Sequence, residues 1–268
     1  MIIVVKIGGD LLSSGPQQRL IDEVARLRRI HEIVLVHGGG DIVTEISEKL
    51  GHPPKFVVSP KGFRSRYTDK EASGIYTMVM AGKINKEIVS ALQKSGVNAI
   101  GLSGLDGGLV RAIRKTKIVS IDERGRKMLM DGGYTGQITK VDKGLLRLLI
   151  EDGYAPVISP VAMGEEAEPL NVDGDRMAAS LASALQADRL ILLTDVEGIH
   201  IEGKPVEKLH ASEAEEVMSQ IGAGMITKVY ASVEAAKGGI PETIIASGLR
   251  EAAIQSALEH GNGTVIVR

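Results

Sequence analysis

Residues 2–41 read IIVVKIGGDLLSSGPQQRLIDEVARLRRIHEIVLVHGGGD, and this stretch decides the fold class. An apolar, β-branched run from Ile2 to Ile7 ends in Gly8 and Gly9. An amphipathic stretch from Gln17 to Ile30 follows, and a second apolar run, Ile33 to Val36, ends at His37 and three glycines. Near-continuous apolar runs fit strands buried on both faces, and strand–helix–strand order specifies a parallel sheet with helical crossovers. The same alternation predicts helices over Asp41–Leu50, about Asp69–Ser95 and Lys143–Asp152, with strands at Asn98–Leu102 and Ala155–Ser159. Beyond Asn171 it predicts a helix Arg176–Ala187, a strand Arg189–Thr194, helices around Glu213–Gln220 and Thr227–Lys237, a strand Thr243–Ala246 and a final edge strand Thr264–Val267.

Between Arg111 and Val141 the pattern changes to short runs punctuated by Asp122-Glu123-Arg124-Gly125 and Asp131-Gly132-Gly133, which read as antiparallel hairpins. The expected fold is therefore α/β: an open, mainly parallel central sheet flanked by helices, with β-hairpin excursions. A boundary near residue 170 would separate an N-terminal lobe, 1–170, from a C-terminal lobe, 171–268.

With 268 residues, 43% hydrophobic and 25% charged, the chain can bury a sizeable core. A net charge of -2 argues against recognition of nucleic acid by overall charge. Aromatics at 3%, with no Trp, argue against base-stacking platforms. The absence of cysteine excludes disulfides, thiolate nucleophiles and cysteine-ligated zinc. No apolar run approaches the roughly 18 residues of a membrane span, so a cytoplasmic protein without a membrane partner is expected.

In an open parallel sheet, ligands bind beyond the carboxyl ends of the strands. Lys6 follows four apolar residues, where a lysine is costly to bury unless an anion or carboxylate neutralises it. Gly8 and Gly9 next to it open the backbone N–H groups to an anion, and Gly38-Gly39-Gly40 open the following helix N-terminus in the same way. His37 reads as a packing or locally hydrogen-bonded residue. Neither GxxxxGK[ST] nor a GxGxxG after the first strand is present, which excludes the P-loop and dinucleotide-binding readings.

Asn171, Asp173 and Asp175 lead into a small-residue helix. Their spacing accommodates helix capping, metal chelation without the distal Glu of a calcium loop, or groups that orient lysines at a reaction centre. Gly222-Ala223-Gly224 reads as a turn placing Lys228 at a helix start, against the dipole preference for anions there. The segment 62–69, GFRSRYTD, places Arg64 and Arg66 in what reads as an exposed loop.

Taken in order, Val5-Lys6-Ile7-Gly8-Gly9, His37-Gly38-Gly39-Gly40, Asn171-Val172-Asp173-Gly174-Asp175, Leu193-Thr194-Asp195-Val196-Glu197-Gly198 and Gly224-Met225-Ile226-Thr227-Lys228 resemble the amino acid kinase family, and its N-acetylglutamate kinase branch, over essentially the whole chain. Segments 62–69, 101–108 and 121–125 look like the archaeal and Thermus-type form of that branch. That form acts on 2-aminoadipate or glutamate held by an amino-group carrier protein, LysW.

The resemblance implies ATP and Mg²⁺ as cofactors, an acyl phosphate product in lysine or arginine synthesis, and a homodimer. It places Lys6 and Lys228 at the transferring phosphoryl group, with Asp175 holding both lysines. Gly8 and Gly9 would approach the ATP phosphates, and Thr194, Asp195, Gly224 and Met225 would lie at the nucleotide, the N-terminal lobe binding amino acid and carrier and the C-terminal lobe binding ATP. Gly39, Gly40, Arg66 and Asn171 would bind the amino-acid substrate. Where the family carries Asn-x-Asn-x-Asp this chain has Asp173 in the middle, so the resemblance gives Asp173 no role.

Residues 55–70 carry a net charge of +4 and residues 111–127 a net of +5 in a chain of net -2. Such patches would steer an acidic carrier, with Arg64, Arg124, Arg126 and Lys127 as docking residues. Two other readings stay open: a kinase for free N-acetylglutamate, and a module that senses nucleotide or amino acid without transfer.

Overall fold

The structure is a computed structural model that describes residues 1–60, 62, 64–121 and 125–268. Eight strands among the described residues form the main sheet: β1 (Ile2–Ile7), β2 (Glu32–His37), β3 (Ala99–Leu102), β4 (Ala155–Ile158), β5 (Arg189–Thr194), β6 (Lys208–His210), β7 (Glu242–Ser247) and β8 (Thr264–Val267). Their order is β6-β8-β7-β5-β1-β2-β4-β3. The run from β7 to β3 is parallel throughout, and β8 lies antiparallel to β7. The expected edge strand β8 is thus internal, because the three-residue β6 pairs outside it.

The strands form where they do because both faces are covered. Helices α1 (Gln18–Leu27), α2 (Gly40–Lys49), α3 (Lys70–Thr77) and α4 (Asn85–Lys94) lie on one face. Helices α5 (Lys143–Glu151), α6 (Gly174–Leu185), α7 (Ala211–Val217) and α8 (Ala223–Lys237) lie on the other, and α9 (Ala253–Leu258) returns to the first. Along β1, Ile3, Val5 and Ile7 enter the first core and Val4 the second. Each buried aliphatic side chain contributes roughly 1.5–3 kcal/mol, so slipping one residue would exchange the two sets and is strongly disfavoured. This register decides the chemistry: Lys6, paired with Val36 and Leu192, shares the second face, while His37, paired with Ile7, shares the first.

Two departures from the expected elements matter. The helix read over 69–95 is continuous in course but passes through a π-helical segment, Met78–Ile84, between α3 and α4. The segment read as an exposed loop contains a strand, Arg64–Tyr67, that pairs antiparallel with Lys55–Val58. The hairpins expected within 111–141 are present: Val110–Arg114 pairs with Gly136–Val141, and Lys117–Ile121 with Lys127–Asp131.

Candidate active site

The carboxyl ends of β1, β2 and β5 meet the N-terminus of α6, and this meeting builds the centre. Asp173 takes the N-cap position of α6, where its carboxylate accepts the Arg176 N–H at 2.9 Å. Capping therefore explains Asp173. Asp175, in the first turn, turns inward: Oδ1 lies 2.8 Å from Lys6 Nζ and Oδ2 lies 3.4 Å from Lys228 Nζ. Thr227 Oγ1 donates to the same Oδ2 at 3.3 Å. Lys6 is 7% exposed and Asp175 3%, so neither charge could persist without the other.

Burial pushes the Lys6 ammonium down, but Asp175, helped by Asp173 and Asp10, more than reverses this and holds it above its ordinary value. Burial likewise pushes Asp175 up, and the charges of Lys6 and Lys228 outweigh it, holding the carboxyl below its ordinary value. Asp173 is raised, first by burial and then by Asp175. The result is a carboxylate clamped between two ammonium groups that come from opposite ends of the chain. Lys228 reaches it from the second turn of α8, which begins at Ala223, and not from the helix start that the glycines suggested.

Lys6 opens onto a cleft of about 1010 Å³, also lined by Gly38–Gly40, Arg64, Arg66 and Asn171. At Gly39 the backbone runs at φ 147°, and a Cβ there would sit 2.2 Å from Ile84 Cδ1, so only glycine fits. The N–H groups of Gly9 and Gly39 make no backbone hydrogen bond among the described residues, whereas the Gly8 N–H is occupied by Leu193 O at 2.9 Å. Of the two glycines expected at the phosphates, Gly9 alone has an amide to offer.

Arg66 is anchored through Nη2, which donates to Gly40 O and Thr44 Oγ1, both at 2.8 Å. Its Nη1 is buried without a hydrogen-bond partner, an arrangement that a bound carboxylate would complete. Burial pushes the Arg66 guanidinium below its ordinary value. Both hairpin arginines stack on Phe56, with guanidinium-to-centroid distances of 3.7 Å for Arg64 and 5.0 Å for Arg66. Asn171 Nδ2 donates to Thr68 Oγ1 at 2.9 Å, leaving its carbonyl oxygen for the cleft.

Thr194, Asp195, Gly224 and Met225 do not line this cleft. Asp195 instead faces Asp10, whose carboxyl is raised by burial, then by Asp195 and Asp41, with Lys228 opposing. Of the residues expected at the nucleotide, Gly224 reaches the clamp, its carbonyl oxygen lying 3.5 Å from Lys228 Nζ. Of the expected docking residues, Arg126 and Lys127 are exposed on the 117–131 hairpin and Arg124 lies outside the described residues. His37 is pushed down to about 4 by burial, and its ring nitrogens lie 3.0 Å from Gly38 O and 3.3 Å from Asn85 Nδ2.

Sequence reading missed Thr227, Asp10 and Lys115, which also lines the cleft. Thr227 sits beside Lys228 in the same motif. Asp10 directly follows Gly8-Gly9, and a carboxylate next to a glycine loop expected at phosphates is itself a signal.

A doubly covered, mostly parallel sheet with two lysines on one carboxylate at its carboxyl edge defines a class, and the sequence agrees. Residues 1–247 match the amino acid kinase family, and the chain belongs to that family. It is therefore a kinase of the kind that phosphorylates carboxyl and related groups. Among its relatives, the [LysW]-aminoadipate/[LysW]-glutamate kinase of Metallosphaera sedula is 48% identical, covering 99% of this chain and 100% of the relative. The protein of the same description from Saccharolobus solfataricus is 46% identical over 99% of each. Among solved structures, N-acetylglutamate synthase from Neisseria gonorrhoeae, complexed with coenzyme A and N-acetyl-glutamate, superposes with a TM-score of 0.82 at 25% identity. It covers 100% of this chain and 59% of that longer one.

Proposed function

We propose that this protein transfers the γ-phosphoryl group of ATP to the side-chain carboxylate of 2-aminoadipate or glutamate carried by an acidic amino-group carrier protein of the LysW kind. The observation that carries the reading is the Lys6–Asp175–Lys228 clamp, whose Lys6 lines the cleft. The activity for which the full-length relatives are named supports the choice of substrate. The acceptor carboxylate, with an ordinary pKa of about 4.3, is ionised at neutral pH and needs no general base. Its oxygen bonds to the γ-phosphorus as the bond to the β,γ-bridging oxygen breaks, giving an acyl phosphate and ADP. Catalysis then consists of positioning and charge neutralisation.

Lys6 and Lys228 would face the phosphoryl oxygens, and Asp175 would keep Lys6 charged and both ammonium groups aimed. Gly9 and Gly39 would donate their free amides, Gly8 shaping the loop beneath the phosphates. Arg66 would grip a substrate carboxylate through Nη1, with Gly40 and Asn171 beside it. Thr194, Asp195, Gly224 and Met225 would form the nucleotide pole, so that residues 1–170 serve chiefly the amino acid and carrier and residues 171–268 chiefly ATP.

No group of three or more His, Asp or Glu side chains forms a metal cage among the described residues. The residues fit instead a Mg²⁺ that arrives on the phosphates, beside the facing carboxylates of Asp10 and Asp195, where it would offset phosphate charge. Arg64, Arg124, Arg126 and Lys127 would steer the acidic carrier. A cytoplasmic homodimer serving lysine or arginine synthesis completes the reading; among the described residues no helix is long and apolar enough to cross a membrane.

The test traps the acyl phosphate as a hydroxamate, comparing free and carrier-linked forms of both acids. The reading requires hydroxamate from a carrier-linked acid. Rapid product from free N-acetylglutamate alone would replace it with the free-acid reaction, and no product from any form would replace it with a sensing role.

A further inference from the structure

On the far face of the sheet from Lys6, beneath the triple-glycine loop, two polar side chains are wholly buried: His37 and Asn85, both at 0% exposure. Neither touches the cleft. Asn85 is the first residue of α4, directly after the π-helical segment, and wide helical turns of that kind are frequent at functional sites.

The orientation of Asn85 follows from its neighbours. Its Nδ2 lies 2.9 Å from the carbonyl oxygen of Val157, which needs a donor, and its Oδ1 lies 3.0 Å from Lys86 Nζ, which needs an acceptor. The amide nitrogen therefore also faces His37 Nε2, at 3.3 Å, and that ring nitrogen must accept. The ring proton is then on Nδ1, 3.0 Å from Gly38 O, to which it donates. The charges of Lys6, on β1 across the sheet, and of Lys86, on α4, both disfavour a second proton.

The peptide unit carries this information onward. Because it is planar and trans, fixing the Gly38 carbonyl toward His37 fixes the Gly39 N–H in the opposite sense. That N–H has no backbone acceptor among the described residues, and Gly39 lines the cleft. Glycine at 38 to 40 leaves this peptide free to rotate unless something holds it.

We propose that His37 and Asn85 are positioning residues for phosphoryl transfer: Asn85 sets the imidazole tautomer, and His37 holds the Gly38–Gly39 peptide so that the Gly39 amide is presented to the reacting groups. The consequence for catalysis rests on the function proposed above; the tautomer does not.

Two readouts separate the parts. Nitrogen NMR of the wild-type ring should show a proton on Nδ1 and a bare Nε2 from pH 8 to pH 5. A proton on Nε2, or an imidazolium near pH 6.5, overturns the proposal whether or not the protein is a kinase. In kinetics, His37→Leu should lower kcat about 10- to 100-fold, as expected for a misplaced reacting group, with ATP affinity within about twofold. His37→Asn, whose amide can reproduce the Nδ1–H donor, should recover most of that loss. A leucine variant within about twofold of wild type, or an asparagine variant no better than leucine, refutes it. If His37→Leu does not fold, Gly101→Ala serves, since its Cβ would meet Asn85 Oδ1 at 2.0 Å. It displaces Asn85, and with it Lys86 Nζ and Val89 Cγ2, without replacing His37 or any glycine of the loop, and should lower kcat similarly, whereas unchanged turnover refutes the proposal.

Discussion

Asp175→Asn removes one charge and leaves two ammonium groups facing each other across it. The side chains of Lys6 and Asp175 are 8% and 4% exposed, so this is a buried ion pair broken at one partner, at a cost of about 3–5 kcal/mol. At roughly 2 °C per kcal/mol for a chain of this length, the melting temperature should fall by about 6–10 °C. The effect on Lys6 is the sharper signature. Burial is the largest influence on its ammonium and is reversed in the wild type mainly by Asp175. With the folded-state value above the unfolded one, the pair's contribution from Lys6 is fully present at neutral pH and is lost only as pH rises through the raised value. Without Asp175 the ammonium loses protons below its ordinary range, so turnover in the variant should decline as pH rises through the mildly alkaline region where the wild type holds. Turnover at neutral pH should drop about 10²- to 10³-fold. The assay is ADP release against pH, with nucleotide affinity by calorimetry and melting by scanning fluorimetry. A variant that melts within about 1 °C of the wild type and keeps a parallel pH profile would refute the clamp.

Lys228→Ala should lower turnover by about 10² or more while nucleotide binding persists, measured by steady-state kinetics and calorimetry. Arg66→Ala should raise the Michaelis constant for every form of substrate, and Arg64→Ala chiefly that of the carrier-linked form; equal effects from both would merge their roles. Reversing Arg124, Arg126 and Lys127 to Glu should weaken carrier-linked turnover and flatten its salt dependence, with free-acid kinetics as the control. His37 is pushed down to about 4 from the ordinary 6.5, so the unfolded chain takes up this proton first as pH falls. Stability should therefore decline by about 3 kcal/mol between pH 6.5 and 4, at about 1.4 kcal/mol per unit, and chemical denaturation of His37→Asn should show a shallower decline.

How much could be read beforehand depended on how local the cause was. β1, β2, β4 and β5 were legible because strands covered on both faces are apolar along their whole length. The Lys55–Val58 and Arg64–Tyr67 hairpin was not, since most of its side chains are exposed and charged or polar residues interrupt any alternation. β6, Lys-Leu-His, is too short to carry a pattern, so β8 read as an edge. The start of α8 was hidden by Gly224, a poor helix former in its first turn.

In the site, Lys6 announced itself as a charge inside an apolar run, whereas the spacing of Asn171, Asp173 and Asp175 left capping, chelation and lysine orientation open, and only the resemblance singled out Asp175. His37 and Asn85 did not announce themselves, because their hydrogen bond spans 48 positions and Asn85 sits in Lys83-Ile84-Asn85-Lys86-Glu87, which reads as a solvated helix face.

The π-helical segment Met78–Ile84 also bears on how this chain can change length. Its wider turn takes up an additional residue within an otherwise α-helical course, with buried side chains in the helix on either side: Ile75 and Tyr76 before it, Ile88 and Leu92 after it. A single deletion there can tighten the segment toward α geometry while both flanks keep their inward faces. One made within α4 would instead turn the residues beyond it by about 100° and expel Leu92 from the core. Insertions and deletions in this helix should therefore collect at 78–84, directly under the glycine loop, where gaining or losing a residue resets the support of Gly39 and leaves the two hydrophobic layers in place.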